Sequence, residues 1–101
     1  VLLTLGKRGS VCMRGEEEAR SGIYPVKVVD TTAAGDTFLG FFLTEALDHK
    51  RLPDALALAT AASSICVQRM GAADSVPRRA DVLRAIETGS LGKLGEWGGY
   101  R

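Results

Sequence analysis

The sequence is poor in the residues that announce most chemistries, with one histidine and two cysteines among 101 residues. One cysteine pair, Cys12 and Cys66, makes neither a disulfide scaffold nor a thiolate metal cluster, and Cys66 reads as a small buried hydrophobe. His49 falls beside Lys50 and Arg51 near an expected helix end, which places it in solvent rather than in catalysis. Charge of one sign is also lacking: 13 Lys and Arg stand against 12 Asp and Glu, for a net charge of +1. That balance gives no general affinity for nucleic acid or acidic membranes. No apolar run approaches the roughly 20 residues of a membrane span, and no signal-peptide pattern is present. The expectation is therefore no membrane, no nucleic acid and a cytoplasmic location. No internal repeat is found.

What is present is a hydrophobic content of 46%, enough for one core in a chain of this length. Residues 1–5 and 10–13 are short apolar runs flanking Gly6-Lys7-Arg8-Gly9, which predicts a hairpin. Glu16, Glu17 and Glu18 read as a solvated second turn, after which residues 23–29 return as a strand. Helical spacing predicts a helix over 34–49, burying Phe38, Phe41, Phe42, Ala46 and Leu47 and leaving Thr44, Glu45 and Asp48 wet. Pro53 suits the first turn of the next helix, which runs to about Met70 and is dense in small residues. A last helix covers 79–87 and ends before Gly89, with Arg78 and Arg79 in solvent. Residues 88–101 are glycine-rich and read as a flexible tail, in which Trp97 and Tyr100 could dock on an apolar patch.

The richest segment is Asp30-Thr31-Thr32-Ala33-Ala34-Gly35-Asp36-Thr37-Phe38, at a strand-to-helix junction. The first turn of a helix has N–H groups without internal partners, at the positive end of the macrodipole. Small residues there let an anion approach closely, and Asp36 stands beside that position as a candidate base. The bland alternative is an acidic residue stabilising a first helical turn by about 0.3–1 kcal/mol.

This segment resembles the second signature of the PfkB sugar kinases, the ribokinase-like family, and Ala33 brings the resemblance nearer to the ribokinase branch. The resemblance implies the carboxy-terminal part of a three-layer α/β/α fold, with strands and a hairpin followed by three helices. It covers residues 1–87, about a third of such an enzyme. It makes Asp36 the base and assigns the amides of Ala33, Ala34, Gly35 and Asp36 to the transferring phosphoryl group. Thr4, Gly6 and Gly9 would approach ATP, and Thr60 would stand near the adenine ring. Oxygens of Asp30, Thr32, Cys66, Arg69, Gly71 and Ser75 would hold a monovalent cation such as K+, consistent with a hard ion's preference for oxygen. The alternative is an ordinary helix-terminating loop with Gly71 as its cap.

By the same resemblance the reaction is transfer of the γ-phosphoryl group of ATP, with Mg2+, to a sugar hydroxyl. Ribose at its 5-hydroxyl is favoured, and fructose is open. Most sugar-gripping residues of the family lie outside these residues, so the chain by itself is expected to turn over little sugar. A second reading is a kinase-derived module that acts by oligomerising or by binding a partner, because truncation exposes sheet edges and apolar faces.

Overall fold

The computed structural model describes residues 2–4, 9–31, 33–48, 51–69 and 76–97. Three strands come first: β1 (Leu2–Thr4), β2 (Ser10–Arg14) and β3 (Glu17–Ser21). They form an antiparallel sheet in the order β1-β2-β3, with Thr4 opposite Ser10 and Cys12 opposite Ala19. Gly15 turns the second hairpin at φ +62°, a conformation that costs glycine nothing. The turn is so tight that Glu17 and Glu18 already belong to β3, correcting the acidic loop expected there.

The strand expected over residues 23–29 does not form. A strand needs a ladder partner, and Pro25 has no N–H to offer one. Among the described residues the segment finds other acceptors and donors. The Val29 and Asp30 amides donate to the Val67 carbonyl at 2.6 and 3.1 Å, and the Ile23 carbonyl accepts from Gly95 at 2.9 Å.

Three helices follow: α1 (Ala34–Leu47), α2 (Leu52–Val67) and α3 (Arg79–Thr88). Pro53 sits in the first turn of α2, and Gly89 closes α3 in the left-handed conformation at φ +71°. α1 and α2 stop short of the expected 49 and 70. The Asp48 amide returns to the Thr44 carbonyl at 3.2 Å, and Gln68 Nε2 returns to the Ser64 carbonyl at 3.1 Å.

α2 is the centre of the molecule. Ala55, Leu56, Ala59, Ala61 and Ala62 are fully buried, because small side chains let the helix lie close to the sheet and to both neighbouring helices. One cluster joins Leu52 and Leu56 to Phe38 and Phe42 of α1 and to Cys12 and Ala19 of the sheet. A second joins Leu58 and Ile65 to Val82 of α3 and to Leu91. Burial of a side chain such as Leu56 contributes about 1.5–3 kcal/mol.

On α1 the buried positions are Thr37, Phe38, Phe42 and Glu45, while Leu47 is 77% exposed. This reverses the expected placement of Glu45 and Leu47. The stripe continues one turn past Phe42 to Glu45, which meets Arg79 of α3, and Leu47 is rotated off it into solvent.

Residues 89–97 have no regular secondary structure, but they return to the body. Leu91 is buried in the second cluster, and the Arg20 guanidinium lies 4.6 Å from the Trp97 ring centroid. Arg20 pairs with Val11 across the ladder, so Trp97 lies over the sheet face that these two share, opposite α2. A β-carbon at Gly22 would clash with the Gly95 carbonyl, which explains glycine at that crossing. Among the described residues no helix is long and apolar enough to cross a membrane.

Candidate active site

Ala33 occupies the N-cap of α1 and has no side-chain oxygen with which to cap it. The Ala34 amide donates to the Thr31 carbonyl at 3.1 Å, and the Thr37 amide to the Ala33 carbonyl at 2.9 Å. The amides of Gly35 and Asp36 have no acceptor among the described residues. A β-carbon built at Gly35 meets nothing within 4 Å, so the space before these two donors is open. Uncapped amides at the positive end of a 14-residue helix suit an anion.

The first turn of α1 is held in place from α2. Ser63 Oγ donates to the Ala34 carbonyl at 3.4 Å, and Thr37 Oγ1 donates to Cys66 Sγ at 3.5 Å. Cys66 is buried and acts here as a weak acceptor.

This turn stands between two hollows. The first, of about 350 Å³, is lined by Thr4, Gly9, Ala34, Gly35 and Thr60 together with Ser10, Tyr24 and Phe38. It gathers five residues that the sequence placed near a nucleotide or phosphoryl group, from β1, the residue before β2, and two helices. Gly9 needs to be glycine: its φ is +99°, and a β-carbon would run into the Ser21 carbonyl. The Thr60 hydroxyl is already engaged, donating to the Leu56 carbonyl at 2.7 Å and lying 3.3 Å from Ser21 Oγ. The second hollow, of about 610 Å³, is lined by Ala33, Asp36, Phe41, Glu45, Val76 and Arg79. Asp36 is exposed on this side.

Of the residues expected around a monovalent cation, Asp30, Cys66 and Arg69 gather at the carboxy-terminal end of α2. The Val67 carbonyl there accepts from Asp30, and the Cys66 carbonyl accepts from the Arg69 amide at 3.1 Å. That end is the negative pole of the helix. Gly6, Thr32, His49, Gly71, Ser75 and Tyr100 lie outside the described residues.

The sequence reading missed the pairing of Glu45 and Arg79 on the wall of the Asp36 hollow. Arg79 Nε donates to Glu45 Oε1 at 2.6 Å and Nη2 to Oε2 at 3.5 Å. The Glu45 side chain is only 8% exposed. Its hydrogen bond first, and its charge second, raise the pKa of the Arg79 guanidinium. Arg79 therefore does not lie free in solvent as expected; 34 residues separate the pair, and no local pattern links them.

The sheet, the glycine-lined hollow and the helix start without a side-chain cap together make an α/β unit with an exposed helix N-terminus. The chain belongs to the pfkB family of carbohydrate kinases, which it matches over residues 1–79. It is similar to a ribokinase of Arabidopsis thaliana, with 42% identity over 86% of this chain and 24% of that protein. Among solved structures, that of Arabidopsis thaliana ribokinase complexed with ribose and ATP superposes with a TM-score of 0.78 and 41% identity, covering 85% of this chain and 28% of that one. Ribokinase from Cryptococcus neoformans in complex with ADP superposes with a TM-score of 0.73 and 37% identity, over 82% and 27% of the two chains. The fold is thus part of the ribokinase-like α/β fold, and the chain spans about a quarter of the length of these relatives.

Proposed function

We propose that this chain carries the nucleotide-binding and phosphoryl-transfer part of an ATP-dependent sugar kinase. The observation that carries the reading is the start of α1, which has no side-chain cap and whose Gly35 and Asp36 amides, between the two hollows, have no acceptor among the described residues. ATP would lie in the smaller hollow, flanked by Thr4, Gly9 and Thr60. The sugar hydroxyl would approach from the larger one. Asp36 would take the hydroxyl proton, since a carboxylate within hydrogen-bond reach is the geometric requirement for a base. The amides at the start of α1 would hold the charge spread over the phosphoryl oxygens, as preorganised donors do. Ribose is the favoured acceptor and fructose the alternative, in the cytoplasm.

Magnesium, an ion held largely by phosphate and water, would supply charge neutralisation on the nucleotide phosphates. A monovalent cation would be held by oxygens of Asp30, Cys66 and Arg69, which lie at the negative end of α2, and by the resemblance also by Thr32, Gly71 and Ser75, which lie outside the described residues.

The test is ATP binding and ADP release by the purified chain, with Mg2+ and K+, with and without ribose. The expected result is ATP binding with little ribose-dependent turnover, because most sugar-gripping residues of the family lie outside these residues. Turnover that requires ribose and vanishes in Asp36→Asn would show that the chain assembles a complete site by itself. Absence of ATP binding would overturn the nucleotide reading.

A second reading, self-association, draws on one observation. Leu39, Leu43 and Leu47 are exposed at successive turns of α1, forming an apolar row. Light scattering after size exclusion tests it, and a monomer at high concentration would count against it.

A further inference from the structure

We propose that Ser10 Oγ is the hydrogen-bonding contact for the base of the nucleotide in the smaller hollow; this rests on the nucleotide reading above and names a residue which that reading does not use. Ser10 is only 3% exposed, yet its buried hydroxyl has no hydrogen-bond partner among the described residues. A buried polar group without a partner is costly and uncommon.

The neighbouring hydroxyls show how unusual this is. Thr60 donates to the Leu56 carbonyl at 2.7 Å, Ser64 to the Thr60 carbonyl at 2.8 Å, and Ser63 to the Ala34 carbonyl at 3.4 Å. Ser21 is directly opposite Ser10 in the β2–β3 ladder, and so shares its sheet face. Its hydroxyl donates to the Gly22 carbonyl at 3.1 Å and lies 3.3 Å from Thr60 Oγ1. Ser10 is the exception on this wall of the hollow.

The chemistry of the hollow selects the base rather than the phosphates as the partner. None of the described residues lining it is charged, and Tyr24, Val26 and Phe38 give it apolar flanks. Such walls accept a flat, uncharged heteroaromatic ring. Phosphates are better served by the amides of Gly35 and Asp36, which have no acceptor among the described residues. A serine hydroxyl both donates and accepts, so it can meet either a ring nitrogen or an exocyclic amine. It would orient a ring that the apolar walls hold without direction.

The test is calorimetric titration of the 101-residue chain with MgATP and with tripolyphosphate, for the parent, Ser10→Ala and Ser64→Ala, with melting temperatures measured without nucleotide. Ser10→Ala is expected to weaken ATP binding by about three- to tenfold, the effect of one neutral hydrogen bond, with no matching loss toward tripolyphosphate. Its melting temperature should stay level or rise, since the hydroxyl has no protein bond to lose. Ser64→Ala, whose hydroxyl is engaged within α2, should lower the melting temperature and weaken ATP binding less than Ser10→Ala does. Unchanged ATP affinity in Ser10→Ala would overturn the proposal while leaving the nucleotide reading in place. Equal losses for ATP and tripolyphosphate would also overturn it, by moving the contact to the phosphates. Failure of the parent to bind ATP would remove both readings together.

Discussion

Arg79 Nε lies 2.6 Å from Glu45 Oε1, and the two residues differ sharply in burial: the carboxylate side chain is 8% exposed and the guanidinium side chain 53%. This asymmetry makes the two halves of the pair unequal under mutation. In Glu45→Gln, Arg79 keeps its water and can still meet an amide oxygen. In Arg79→Met, a buried carboxylate loses its partner, which is the more costly deletion. Arg79→Met should therefore lower the urea midpoint clearly more than Glu45→Gln. Equal shifts would show that the pair is solvated like a surface salt bridge.

Gly35 separates folding from binding. A β-carbon there has open space and lies within the first turn of α1. Gly35→Ala should therefore stabilise the helix by about 0.5–1 kcal/mol. The same methyl group stands before the two free amides, and ATP affinity should fall by about tenfold, a loss near 1.4 kcal/mol. Thermal melts and titration on one variant check both; a variant that binds ATP as well as the parent would remove the anion from this helix start.

Thr60 is predicted to matter more to stability than to nucleotide affinity. Its hydroxyl joins α2 to Ser21 of β3, so Thr60→Val should cost about 1 kcal/mol. That corresponds to roughly 4–8 °C in the melting temperature of a domain this size. Thr60→Ser retains the hydroxyl and should recover most of it. A large affinity loss in Thr60→Val at unchanged stability would instead make Thr60 a direct nucleotide contact.

Cys12 should introduce a pH dependence on the alkaline side. Burial is the main cause pushing its thiol pKa above the ordinary value. In the folded chain the thiol stays protonated while the unfolded one ionises. Its contribution to stability is complete below the unfolded pKa, near 8.5, and declines as pH rises through the folded value. Urea midpoints from pH 7 to 10 should fall more steeply for the parent than for Cys12→Ala. Parallel slopes would show that the thiol is not a linked group.

Much of the local structure is legible in the residues themselves. The start of α1 at Ala34, the place of Pro53 in the first turn of α2 and the closure of α3 at Gly89 follow from backbone preferences that act within a few residues. The hairpin of β1 and β2 does so too, from short apolar runs around a glycine turn. Five residues that line the smaller hollow, namely Thr4, Gly9, Ala34, Gly35 and Thr60, were identified from the motif and the family resemblance together.

Other features depend on partners far apart in the chain, and there local pattern misleads. Residues 23–29 have the composition of a strand, but a strand exists only where a ladder receives it, and their backbone bonds go to Val67 and Gly95 instead. Glu45 reads as a wet helix position until α3 places Arg79 beside it. Ser10 falls in a run that reads as an apolar strand, and only its burial in the fold reveals a hydroxyl without a partner among the described residues. Propensity, capping and turn chemistry are carried by neighbours along the chain, so the sequence alone determined where α1, α2 and α3 begin. Burial and pairing are carried by neighbours in space, so only the tertiary structure decided which side chains face the two hollows and which of their polar groups remain to meet a ligand.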